Sequence, residues 1–79
     1  MNPIKELARL FCNLFLSFSG NEEEKEKRLG RFVRENIAPL DEKNLNSFFI
    51  FIQQNERTSP ADARRIKEFV EKELEKIKD

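Results

Sequence analysis

LARLFCNLFLSF, residues 7–18, is the stretch that decides how this chain folds. At about 100° per residue, Ile4, Leu7, Phe11, Phe15 and Phe18 fall on one stripe of a helix. Leu10 and Leu14 widen the stripe on one side; Ala8, Cys12 and Leu16 widen it on the other. Only Glu6, Arg9, Asn13 and Ser17 form a polar strip, leaving about two-thirds of the circumference apolar. A helix on the surface of a bundle carries a narrower stripe. In a chain of 79 residues such a helix is either the central one, or shared with a second copy or another protein.

The same run, about 12 residues long, is too short to span a bilayer. A signal-peptide core is the alternative reading. Glu6 and Asn13 interrupt it, however, and Ser17-Phe18-Ser19 makes a poor cleavage site. The expectation is an uncleaved cytoplasmic protein. The lone Cys12 cannot form an internal disulfide, and no His is present to activate it, so it is expected to be a buried, inert thiol.

Outward from this stretch, caps and stripes mark the helices. Asn2 as N-cap and Pro3 at N1 start the first, predicted over residues 3–18, with Gly20 supplying a left-handed stop. Asn21 (or Ser19) caps the second, residues 22–38, and Glu22, Glu23 and Glu24 place negative charge at its positive end. Leu29, Phe32, Val33 and Ile37 form its stripe, and Gly30 marks a close helix crossing. Pro39 is expected to push Ala38 out of the helical region. Asp41 caps the third, residues 42–54, on the stripe Leu45, Phe48, Phe49 and Ile52. Within it SFFIFI, residues 47–52, also fits a buried strand; the lack of a pairing strand and of hairpin signals favours helix. Ser59, Pro60 and Asp62 open the fourth, residues 60–78, whose Ala63, Ile66, Phe69, Val70, Leu74 and Ile77 keep a helical period. Pairs at i,i+4 such as Glu23–Lys27, Glu24–Arg28, Arg31–Glu35, Arg64–Glu68, Lys67–Glu71 and Glu68–Lys72 are expected on the outer faces. The fold class is all-α: one domain over residues 1–79, a compact antiparallel bundle of four helices with the first most buried.

Eight Phe without Trp or Tyr suit a dry core, and 15 basic residues balance 15 acidic ones. That balance argues against non-specific nucleic-acid binding. Without His, a nucleophile–base set, a Gly-rich phosphate loop or metal-ligand spacing, the chain is not expected to be an enzyme. No cofactor, metal site or small-molecule substrate is expected either. The acidic run Glu22–Glu24 with Glu26 reads as a complement to the helix dipole rather than a cation site.

Two kinds of candidate contact residue remain. Lys27, Arg28, Arg31 and Arg34 form a basic stripe, and Arg57, Arg64 and Arg65 flank the start of the last helix; either group suits an anion or nucleic acid. Interleaved acids make a plain solvated face the simpler reading. The hydrophobic group is more telling. Leu10, Leu14, Leu16, Ile50 and Phe51 lie at the edges of, or off, the stripes that one small bundle buries, and exposed together they would mark an interface. The alternative is that helices one and three are an inner pair covered by the other two. The leading functional expectation is a protein–protein interaction module: a homodimer, or a small regulatory subunit docking on a larger protein through helices one and three. The alternative is a small nucleic-acid-binding regulator. A membrane anchor through helix one is disfavoured, because its polar strip lacks the several cations such helices use.

Overall fold

Four short polar side chains start the four helices. The computed structural model describes residues 2–78. Among these residues the order is α1 (Pro3–Ser17), α2 (Glu22–Phe32), α3 (Glu42–Gln54) and α4 (Pro60–Lys78), with α2 continuing directly into a π-helical turn, Val33–Ile37. Asn2 Oδ1 accepts from the Ile4 amide at 2.9 Å, Asn21 Oδ1 from Glu24 at 2.8 Å, Asp41 Oδ1 from Asn44 at 2.8 Å, and Ser59 Oγ from Asp62 at 3.1 Å. Each such cap is worth about 1 kcal/mol, because it satisfies an amide that the helix leaves unpaired. Residues 47–52 are helical, as the absence of a pairing strand suggested.

Two helix ends differ from expectation. No described glycine has a positive φ. Helix α1 stops instead because Phe18 turns extended, with φ −69° and ψ 125°. Gly20 serves as space: a Cβ there would lie 2.5 Å from Phe18 Cε1, so the ring folds over a position that must be bare. At the other end of α2, Ala38 remains helical before Pro39, with φ −57° and ψ −36°. The restriction imposed by a following proline is a preference, and the burial of Val33 and Ile37 outweighs it. The Ala38 amide reaches back five residues to Val33 O at 2.8 Å, closing the π turn. Residues four apart drift by about 40° in an α-helix. The wider turn reduces that drift, so that Leu29, Val33 and Ile37 are all buried on one face.

Phe11 is the hub of the core. Its ring centroid lies 5.3 Å from Phe32 of α2, 6.0 Å from Phe48 of α3 and 6.5 Å from Phe69 of α4. Around this aromatic centre Ile52, Ile66, Val70, Leu29 and Val33 are fully buried. The N-terminal half of α1 lines a groove with the C-terminal end of α3 and the turn after it, so α1 and α3 run antiparallel. Helix α1 is nevertheless not surrounded. Its inner face meets the other three helices, while both outer flanks stay in water.

The sequence suggests a close helix crossing at Gly30; the structure instead covers it with a side chain, while α4 packs on the π turn Val33–Ile37 that follows. The nearly buried Glu73 of α4 lies over the glycine, and a Cβ on Gly30 would sit 3.2 Å from Glu73 Oε1 and 3.4 Å from Arg34 Nη1. Lys76 Nζ, 3.4 Å from the same oxygen, partners that carboxylate. Of the expected i,i+4 pairs only Arg31–Glu35 forms, at 2.9 Å. Glu6–Arg9 and Asp62–Arg65 pair at i,i+3 instead. Glu23–Lys27, Glu24–Arg28, Arg64–Glu68, Lys67–Glu71 and Glu68–Lys72 do not close to 4 Å, consistent with the small net value of exposed pairs. Several cations lie over rings instead: Lys25 over Phe15 at 4.3 Å, Arg28 over Phe18 at 5.9 Å and Lys67 over Phe49 at 5.6 Å. No described helix is long and apolar enough to cross a membrane.

If Phe11 is the hub, Phe11→Ala should lower the unfolding free energy by about 3–5 kcal/mol, enough to unfold so small a protein. Leu10→Ala, one residue away but outward, should cost less than about 1 kcal/mol. Urea titrations of the two variants followed by circular dichroism make the comparison; equal losses would contradict this placement of α1.

Candidate interaction surface

Helix α1 exposes three leucines, Leu10 at 43%, Leu14 at 38% and Leu16 at 39%, and α3 exposes Ile50 at 50%. Phe51 is half-buried. These five residues do not make one patch. Leu10 and Leu14 are one turn apart and adjacent, whereas Leu16 stands about 160° round the helix from Leu14. Ile50 points directly away from the Phe48–Ile52 face that α3 buries. The structure therefore divides the group into a Leu10–Leu14 ridge on one flank of α1, Leu16 and Phe51 toward the other flank, and an isolated Ile50.

The ridge continues to Phe18, four residues beyond Leu14 and half-buried. Leu14 and Phe18 line a groove of about 570 Å³ with Gly20, Glu24, Lys27 and Arg28. An apolar strip bordered by charges of both signs is the usual anatomy of a non-obligate protein interface. Lys27 and Arg28 close no ion pair with any described residue, so both stay available to a partner.

Beyond these, the structure does not assemble the cationic residues into one site. Lys27, Arg28, Arg31 and Arg34 are all exposed on α2 and its π turn, but Arg31 is held by Glu35 and Arg34 leans over Gly30 toward Glu73. Arg57, Arg64 and Arg65 line three separate grooves, and Arg65 is paired with Asp62 at 3.6 Å. Among the described residues no three His, Cys, Asp or Glu side chains gather as metal ligands. Ser59, used as a cap, leaves the start of α4 occupied by its own chain.

Sequence reasoning placed Ile77 on the buried stripe of α4, but it is 44% exposed. Helix α4 has 19 residues against 13 in α3, so its last turn outruns the body that covers it. Ile77 and Leu74 instead border an open groove with Leu45 and Phe49 of α3. The groove between α1 and the α3–α4 turn was also missed: its Asn and Gln residues carry no periodicity and resemble ordinary solvated positions.

Cys12 is fully buried, and burial pushes its thiol up from the ordinary range. The Thr58 hydroxyl is near enough to offset part of this, yet it completes no hydrogen bond of normal geometry and is itself buried. A neutral, shielded thiol is a packing group here rather than a nucleophile.

Compared with known protein families, curated proteins and solved structures, the chain matches none of them.

The raised thiol has a sign that can be measured. Above the ordinary value of 9.0, the unfolded chain releases the Cys12 proton while the folded chain retains it. The contribution is complete below that value and is lost as pH rises toward the folded value. Urea midpoints between about pH 8.5 and 10.5 should fall more for the native protein than for Cys12→Ala. Equal slopes would mean that the sulfur titrates freely.

Proposed function

We propose that this protein is a non-enzymatic helical interaction module that binds another protein surface, a second copy or a larger partner, through the exposed apolar residues of α1 and α3. One observation carries the reading: Leu10 and Leu14 form an exposed ridge on one flank of the helix whose inner face organises the core. Isolated apolar residues on a surface need no explanation, but adjacent leucines running into a half-buried phenylalanine and bordered by unpaired cations fit a docking strip. A rigid supporting helix favours this use, since the strip need not be ordered on binding. Leu16, Phe51 and Ile50 extend the apolar surface around α1 and α3 and suit a partner that wraps more than one flank.

The nucleic-acid reading has less support. The cations of α2 are interleaved with Glu23, Glu24 and Glu35, and those near α4 face different grooves. A phosphate-binding face needs them turned one way.

Light scattering behind size exclusion, from about 1 μM to about 200 μM, tests self-association directly. The expected result is a mass that rises with concentration, or a partner retained from the native source. In either case the Leu10→Asp, Leu14→Asp double variant loses the association with an unchanged circular dichroism spectrum. A protein that stays monomeric, and whose partner binds the double variant equally well, would refute the assignment of this ridge. Binding to duplex DNA that is lost in Arg64→Glu, Arg65→Glu would favour the other class.

A further inference from the structure

The flank of α1 turned away from the Leu10–Leu14 ridge forms a second surface of different chemistry. A groove of about 810 Å³ runs between residues 2–13, the N-cap and N-terminal part of α1, and residues 51–57, the end of α3 with the turn that follows. Four carboxamides line it: Asn2, Asn13, Gln54 and Asn55. Two of them are oriented by the backbone. Asn2 Oδ1 accepts from the Ile4 amide and Asn55 Oδ1 from the Arg57 amide, each at 2.9 Å, which leaves their Nδ2 groups as free donors. The side chains of Asn13 and Gln54 bond to nothing among the described residues, so each still offers a donor and an acceptor.

The charges of the groove sort in the same way. Arg9 and Glu6 neutralise each other. Lys5 and Arg57 pair with no described carboxylate, and Glu56 pairs with no described cation. Two free cations against one free anion leave a surplus of one positive charge, with hydrogen-bond donors outnumbering acceptors. Residues 2–13 extend about 16 Å, the length of about five residues of extended chain. Phe51 gives the groove one apolar contact partway along.

We propose that this groove binds the last few residues of an extended peptide. The terminal carboxylate is held between Lys5 and Arg57, the main-chain carbonyls and amides by the carboxamides, and one apolar side chain by Phe51. A single carboxylate matches the single surplus charge, and a peptide main chain has the alternating acceptors and donors that carboxamides satisfy. A polyanion is a poorer match, because a surplus of one positive charge would meet several phosphates and Glu56 would face them unpaired. The site goes beyond the apolar ridge and does not depend on it.

Titration of the ¹⁵N-labelled protein with a mixture of acetylated pentapeptides, varied at the central position, tests the proposal. The same mixture as C-terminal amides and a hexauridylate RNA are the comparison probes. Expected are saturable shifts at Lys5, Asn55 and Arg57 with the free acids, weakened about tenfold or more for the amides. Lys5→Gln and Arg57→Gln should lose the same factor with the rest of the spectrum intact. Leu10→Asp with Leu14→Asp should leave it unchanged, which separates this site from the ridge. Equal binding of acids and amides, no saturation by about 5 mM, shifts confined to the Leu10–Leu14 flank, or tighter binding of the RNA in this groove would each overturn it.

Discussion

The fold depends on the meeting of rings at Phe11. This side chain has no exposed surface, and a phenylalanine from each of the other three helices lies within 6.5 Å of it, centroid to centroid. Edge and tilted contacts of this kind add about 0.5–1.5 kcal/mol each beyond the burial of area. More important, they bring a ring from every helix to one point, around which Leu29, Val33, Ile52, Ile66 and Val70 are buried. In a chain this short the fraction of surface that folding can bury is low. One residue that touches every element therefore decides more than it would in a larger core.

That hub fixes which way α1 faces, and the exposed surface follows from it. With Phe11, Phe15, Ala8 and Cys12 turned inward, helical geometry leaves Leu10, Leu14 and Leu16 on the flanks. Folding cannot hide them without taking rings out of the centre. The chain therefore carries apolar residues on its outside as a consequence of how its core is built. Their function is a proposal, but their exposure is not an accident of one loop or one loose terminus. Ile50 stands in the same relation to Phe48 and Ile52 on α3.

Local signals were legible in the sequence, and distant ones were not. Asn2, Asn21, Asp41 and Ser59 cap the helices they were expected to cap, because a cap involves a side chain and an amide two or three residues away. Gly30 was singled out because a glycine inside a helix requires a reason, but what lies over it is the Glu73 side chain rather than a closely crossing backbone. The expected left-handed Gly20 failed because the constraint there is the Phe18 ring, a contact that no turn preference encodes. Ala38 failed because a local restriction was set against the burial of Val33 and Ile37, which depends on α4. The exposure of Ile77 needed the relative lengths of α3 and α4 in space. The exposed leucines were anticipated from the width of the stripe; their division between two flanks required the hub.

The two sides of α1 show how one helix can serve several surfaces. Its inward face is aromatic and dry, and its Leu10–Leu14 flank is apolar and edged by Lys27 and Arg28. Its remaining flank carries Leu16 but is mostly polar, with Asn2 and Asn13 facing Gln54 and Asn55 across a groove that Phe51 also lines. A helix turns through all directions in 3.6 residues, so 15 residues give each face about four positions. That is enough for a core stripe and for two chemically distinct flanks, provided nothing covers the helix from outside. The unusual width of the apolar stripe in residues 7–18 is thus one property with two consequences. It supplies the contact that closes the bundle, and it leaves part of the same helix uncovered by the chain that it organises.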